Sequence, residues 1–287
     1  MADPISDFLR RLSIEITARQ VDKLPLIAAR LRPGAKVFIA LIDPADRDAQ
    51  IAAAAAVRAH GLDPVPHVPA RFIRDRADLA DRLGRFAGEA KVTHALVIGG
   101  GAPEPLGVYD ATLGLIDTGL FEANGITRIG LAGHPEGNPD IARRHGEAML
   151  ITALKDKQAA AAAHGLTAHI ATQFLFEAEP VARWAGELRD AGIDLPIHVG
   201  VPGPATIKTL AKYALMCGVG NSARFIRRQA LNVSKLLTVS APDDFVAGLA
   251  RLSADAPQLN IAAPHIYPFG GFDRLFDWLD AKLAVPA

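Results

Sequence analysis

Glu15 is the one acidic residue in the apolar run "SIEIT", Ser13–Thr17. Strand alternation sets Ile14 and Ile16 on one face and Ser13, Glu15 and Thr17 on the other. A carboxylate on the enclosed face of a strand is poorly solvated, which suits it to general-acid work. The plainer role is a salt bridge at a rim. The run "IGLAGHPEGNPD" raises a second question, because an apolar strand passes directly from Ala132 into His134, Pro135 and Glu136. Those residues are too polar and too stiff for a mere connector. Lys155 and Lys157 in "LITALKDKQAA" stand two apart, so they face different sides of a helix. A solvated face is their default, yet either can reach a phosphate. The loop "IGGGAPEPLG" suggests a dinucleotide fingerprint but fails it. No glycine stands three after Gly101, and the prolines prevent an immediate helix. Close approach of backbone to a flat ligand and a plain flexible turn both stay open for Gly99, Gly100 and Gly101. Nine histidines invite a metal, but there is no HExxH and no His-x-His pair in the first strand. His60 and His164 lie near helix C-termini, where partial negative charge favours them without further role. His94 and His169 fall at strand starts.

Positioning these groups requires a frame. Short apolar runs recur at even spacing: Ser13–Thr17, Lys36–Leu41, Pro64–Val68, His94–Ile98, Thr127–Ala132, His169–Phe174, Leu195–Val199 and Leu259–Ala263. Helical patterns alternate with them over Ala45–His60, Asp75–Ala90, Asp110–Glu122, Arg143–His164, Pro180–Ala191 and Ala205–Cys217. Gly61, Gly165 and Gly192 stand where helices stop, and Asp110 reads as an N-cap. Eight strands alternating with helices imply a parallel sheet, since each return crossover needs a helix. Eight is also the number that closes a (β/α)8 TIM barrel, whose chemistry sits at the C-terminal ends of the strands. A doubly wound open sheet is the alternative. Ser222–Ala254 reads as two or three helices without a strand, an elaboration before the last barrel strand of one domain spanning 1–287.

Composition agrees. Of 287 residues, 50% are hydrophobic and 22% charged, which suits a sizeable core. Lys plus Arg and Asp plus Glu are both 31, and the pI is about 7.1, so nothing favours nucleic acid or an acidic membrane. The lone Cys217 allows no intramolecular disulfide, and we expect a reducing, cytoplasmic setting. No signal peptide and no membrane-spanning run are expected.

Taken in order, "IGLAGHPEGNPD", "LKDKQAAAAAHG", "IATQFLFE", "AGIDLPIHVGVPG" and "HIYPF" resemble the methylenetetrahydrofolate reductase family. "SIEIT" and "PHVPAR" fit it more loosely. The resemblance implies a (β/α)8 barrel in which a nicotinamide, NADH or NADPH, reduces FAD, which passes hydride to methylenetetrahydrofolate. It further implies roles for particular residues. Glu15 matches the acid that helps open the folate ring to an iminium. Gln173 matches a substrate-contacting glutamine, Tyr213 an aromatic packing on folate or nicotinamide, and His67 the histidine of a strand-end segment. Lys157 matches a lysine near the flavin phosphates. Ala132 and His134 fall beside the flavin, with His134 in place of a tyrosine. The chain departs from the pattern where Gly99, Gly100 and Gly101 replace an Arg-Gly-Asp, and where Asn138 replaces a histidine. An expected acidic residue is missing near Leu150, where Glu147 is the nearest, and an expected threonine is missing near Leu41 and Ile42. Charge-assisted phosphate contacts are worth about 1.5–3 kcal/mol each, so a flavin-free hydride transfer is a variant. A non-redox folate-binding protein, or a component of a tetrahydrofolate-dependent demethylation system, is the alternative. A folate-type small molecule is the expected partner, with homo-oligomerisation open.

Overall fold

A computed structural model describes residues 3–217 and 237–283. The strands are β1 (Ser13–Thr17), β2 (Lys36–Ala40), β3 (Asp63–Pro69), β4 (His94–Ile98), β5 (Arg128–Gly133), β6 (Thr167–Phe174) and β7 (Ile197–Pro202). Two-residue strands β8 (Ala205–Thr206) and β9 (Val239–Ser240) precede β10 (Ile261–Tyr267). Eight of them close a parallel barrel in the order β1-β10-β7-β6-β5-β4-β3-β2, the expected TIM barrel rather than an open sheet. Each barrel strand falls within a few residues of its expected span.

Contacts divide the chain into two compact units, Met1–Ser13 with Gly133–Thr152 and Ala171–Ala287, and Ile14–Ala132 with Ala153–Ile170. In the second unit, register sets Glu15 level with Phe38 and Phe38 level with Val65. His67 lies two residues beyond Val65, on the same face and closer to the strand end. The interior there is unusual in being partly polar. Phe38 meets the rings of His67, His94 and His169 edge-on, and the His94 and His169 centroids are 4.9 Å apart. Gly130 makes room for this cluster, since a Cβ on it would come 2.7 Å from Leu96 and 2.9 Å from His169.

Helices follow the expected starts and stops. Asp75 caps Arg76–Ala90 by accepting from the Asp78 amide, and Gly61, Gly165 and Gly192 adopt positive φ past helix ends. Four expectations are corrected. Asp110–Glu122 is two short helices, Thr112–Ile116 and Leu120–Ala123, because Gly119 turns at φ 69° and the Thr118 hydroxyl takes up the Leu115 carbonyl. The N-cap there is Ala111, not Asp110. Arg143–His164 is likewise divided, into Pro139–His145 and Met149–Ala163, with Gly146 at φ 83° between them. The stretch before the last barrel strand does contain a strand, because Val239–Ser240 pairs antiparallel with Ala205–Thr206. Helix Asp243–Asp255 follows as expected, while residues 222–236 lie outside the described residues. Among the described residues no helix is long and apolar enough to cross a membrane.

Candidate active site

Within the unit Ile14–Ala132 and Ala153–Ile170, the barrel brings Glu15 to His67. Glu15 Oε2 lies 3.3 Å from His67 Nε2, with side chains 20% and 10% exposed. Ile14 and Ile16 are fully buried on the opposite face, as alternation requires. The end of β3 is fixed by Gln50, whose buried Nε2 donates to the Ile39 and His67 carbonyls at 2.8 and 3.0 Å. A carboxyl so placed, beside an imidazole and largely out of water, can hold and deliver a proton.

The triple-glycine loop in the same unit is not a loose turn. Arg71 N–H donates to the Gly99 carbonyl, and the Arg71 guanidinium donates to the carbonyls of Ala102 (2.9 Å) and Asp110 (3.2 Å). Leu106 and Val108 amides return to the Arg71 and Arg74 carbonyls. Gly100 turns at φ 90° against Pro69, and any side chain at Gly107 would overlap the Arg74 carbonyl. Gly99 and Gly100 are half-buried and Gly101 is exposed. Ala132 is half-buried near the end of β5. Lys157 is half-buried on Met149–Ala163, where burial lowers its pKa and Asp156 opposes the shift. The site lacks the carboxylate and the arginine that the resemblance puts beside a flavin, and Arg71 is committed to the loop. These residues do not fit a flavin held in the family's manner, although Lys157 can meet a phosphate.

In the other unit, His134 leads into a turn in which the Gly137 amide donates to the His134 carbonyl at 3.0 Å. Asn138 Oδ1 then accepts from the Ile141 amide, capping Pro139–His145. The segment that looked too polar for a connector is thus a turn and a helix start. Gln173, half-buried near the end of β6, uses its Oε1 to accept from the Phe174 amide at 3.1 Å. Beside it an aromatic wall assembles. Tyr213, half-buried on Ile207–Met216, stacks on Phe269 at 4.1 Å and 14°. Phe269 stacks in turn on Tyr267 at 5.5 Å, and Phe174 meets both from the edge. Sequence reasoning missed Gln50, Arg71 and Thr172. Their signal is non-local, whereas Phe269 stands in the quoted "HIYPF" at a strand end. A cavity of about 580 Å³ in this unit, lined by Phe176, Pro202, Gly203 and Leu210, includes none of the expected site residues.

The fold and these strand-end constellations define a (β/α)8 barrel with its candidate chemistry at the ends of the strands. Over residues 113–230 the chain matches the family model for methylenetetrahydrofolate reductase, which bears out the resemblance read from the motifs. That stretch contains His134, Lys157, Gln173 and Tyr213; Glu15, His67 and Gly99–Gly101 precede it. The match supports a folate-related enzyme of one-carbon metabolism. Among solved structures the chain is similar to dihydropteroate synthase (FolP) from Thermus thermophilus. Identity is 12% and the TM-score 0.48, covering 97% of this chain and 99% of that chain. It is also similar to Yersinia pestis DHPS with a pterine-sulfa conjugate, at 12% identity and a TM-score of 0.46, covering 96% and 93%.

Proposed function

We propose that the protein is an oxidoreductase that reduces methylenetetrahydrofolate to methyltetrahydrofolate at the expense of NADH or NADPH. The observation that carries this reading is the Glu15–His67 pair, a largely desolvated carboxyl 3.3 Å from an imidazole. Glu15 gives its proton to the folate ring nitrogen as the carbon–nitrogen bond breaks, leaving an iminium. A hydride from the reduced nicotinamide then adds to the iminium carbon and completes the methyl group. Gln173 hydrogen-bonds the pterin, and Tyr213 with its stacked neighbours offers an aromatic surface. His67 holds the acid in place. Lys157 is the cation suited to a cofactor phosphate.

FAD, if bound, would relay the hydride. The charged pair that would hold it is replaced by Gly99, Gly100 and Gly101. The protein acts on a small folate-type molecule in the cytoplasm.

The decisive assay is NADH oxidation with methylenetetrahydrofolate, with and without added FAD, for wild type and Glu15→Gln. Turnover that is lost in the variant supports the reading; unchanged turnover removes Glu15 from its role. A yellow protein with a flavin spectrum identifies the flavin route, and a colourless active protein the direct one. The triple-glycine loop, tied to Arg71, favours a second reading: a folate-binding protein without redox activity, or a component of a tetrahydrofolate-dependent demethylation system. It predicts tetrahydrofolate binding with no NADH oxidation under any flavin supplementation.

A further inference from the structure

We propose that Thr172 is a positioning residue for Gln173, turning its carboxamide so that the NH2 group, not the oxygen, is what a bound ligand meets. The inference rests on the reading of Gln173 as a ligand contact. Thr172 is 1% exposed, and its hydroxyl is used in both directions. It accepts from the Gly200 amide at 2.8 Å and donates to the Gln173 carbonyl at 2.8 Å. In a parallel ladder a strand amide such as that of Gly200 ordinarily meets a neighbouring backbone carbonyl. Here a side chain meets it, and the hydroxyl ties the two strands to the peptide that follows Gln173.

That peptide is held from three sides. Its carbonyl is taken by the Thr172 hydroxyl. Its N–H, on Phe174, donates to Gln173 Oε1 at 3.1 Å. Its plane lies against Gly200, where a Cβ would come 2.6 Å from the Gln173 oxygen and 2.7 Å from the Phe174 nitrogen. The Thr172 carbonyl is itself held by the Tyr267 hydroxyl at 3.1 Å. Only an oxygen can accept from an amide N–H, so the bond to Phe174 settles which end of the carboxamide points back into the protein. What remains outward is a two-proton donor. A site so built selects a ring edge that presents hydrogen-bond acceptors, and disfavours one that presents donors. Thr172 acts through Gln173 and needs no contact with the ligand.

Two measurements on the full-length protein test this. The first reads amide exchange at Phe174 and Gly200 in wild type, Thr172→Val and Thr172→Ser. Valine keeps the shape and removes the hydroxyl, so both amides should exchange at least about tenfold faster, while serine keeps wild-type protection. The second titrates tetrahydrofolate by calorimetry. Thr172→Val should weaken binding about tenfold, Thr172→Ser should restore it, and Thr172→Val should have no further effect once Gln173→Ala is present. A loss of stability alone would not vanish in that background. Unchanged protection in Thr172→Val, or equal weakening with and without Gln173, overturns the proposal. Wild type that binds no tetrahydrofolate overturns the functional reading instead, and the exchange data still decide the carboxamide's orientation. If Thr172→Val does not fold, Thr172→Ala, which also removes the hydroxyl, takes its place in both measurements with the same expectations.

Discussion

Glu15 and His67 come together because of register. Glu15 is level with Phe38 across β1 and β2, Phe38 is level with Val65 across β2 and β3, and one further step along the same face reaches His67. The resulting 3.3 Å contact joins two groups that handle protons, on two strands that are not neighbours. Replacing Glu15 with Gln should lower kcat for methylenetetrahydrofolate reduction by about 10²–10⁴-fold, the range for loss of a general acid. His67→Ala should cost less, and the double variant should be no slower than Glu15→Gln alone, since the two act as a unit. Steady-state kinetics on the four proteins checks this.

The Tyr213–Phe269 stack should be measurable as a coupling. Tyr213→Leu and Phe269→Leu each remove the same ring pair, so a double-mutant cycle in urea should return about 0.5–1.5 kcal/mol of interaction. A coupling near zero would mean that the rings touch without cooperating.

Arg71 should govern the order of the loop that carries the three glycines. Arg71→Ala removes two guanidinium bonds to loop carbonyls, and amide exchange across 100–110 should rise while the barrel strands stay protected. Gly107→Ala forces a side chain into the Arg74 carbonyl and should destabilise by about 1–3 kcal/mol.

Acid sensitivity should centre on Asp78. Burial pushes its carboxyl up, but bonds from the Arg74 amide and guanidinium, with the charge of Arg82, outweigh burial and hold it below the usual carboxylate range. A carboxyl with a lowered pKa in the folded state contributes stability that is complete above the unfolded value of about 3.9. That contribution is lost as pH falls through the lowered value. Asp78→Asn should therefore flatten the acid limb of a stability–pH profile. It should also cost about 3–5 kcal/mol at pH 7. Arg82, 1% exposed and pushed down by burial to about 10, would lose its principal opposing charge. Urea titrations from pH 7 to pH 3 provide the readout.

The chain's own order was enough to place eight strands, most of the helices and the glycines that end them. Those features depend on local periodicity and on backbone conformation, which neighbouring residues set. Glu15 could be singled out as an enclosed carboxylate for the same reason, because alternation along one strand is a local property. Where local signals competed, as at Gly119 and Gly146, the expected helices were too long. Tertiary structure alone decided who meets whom. The His67 contact with Glu15, the Arg71 clamp on a loop that looked flexible, the Phe269 ring on Tyr213 and the Thr172 hydroxyl under Gln173 all join residues through strand register or loop return. Such pairings depend on how strands align when the sheet closes, and no spacing within a single segment encodes that alignment.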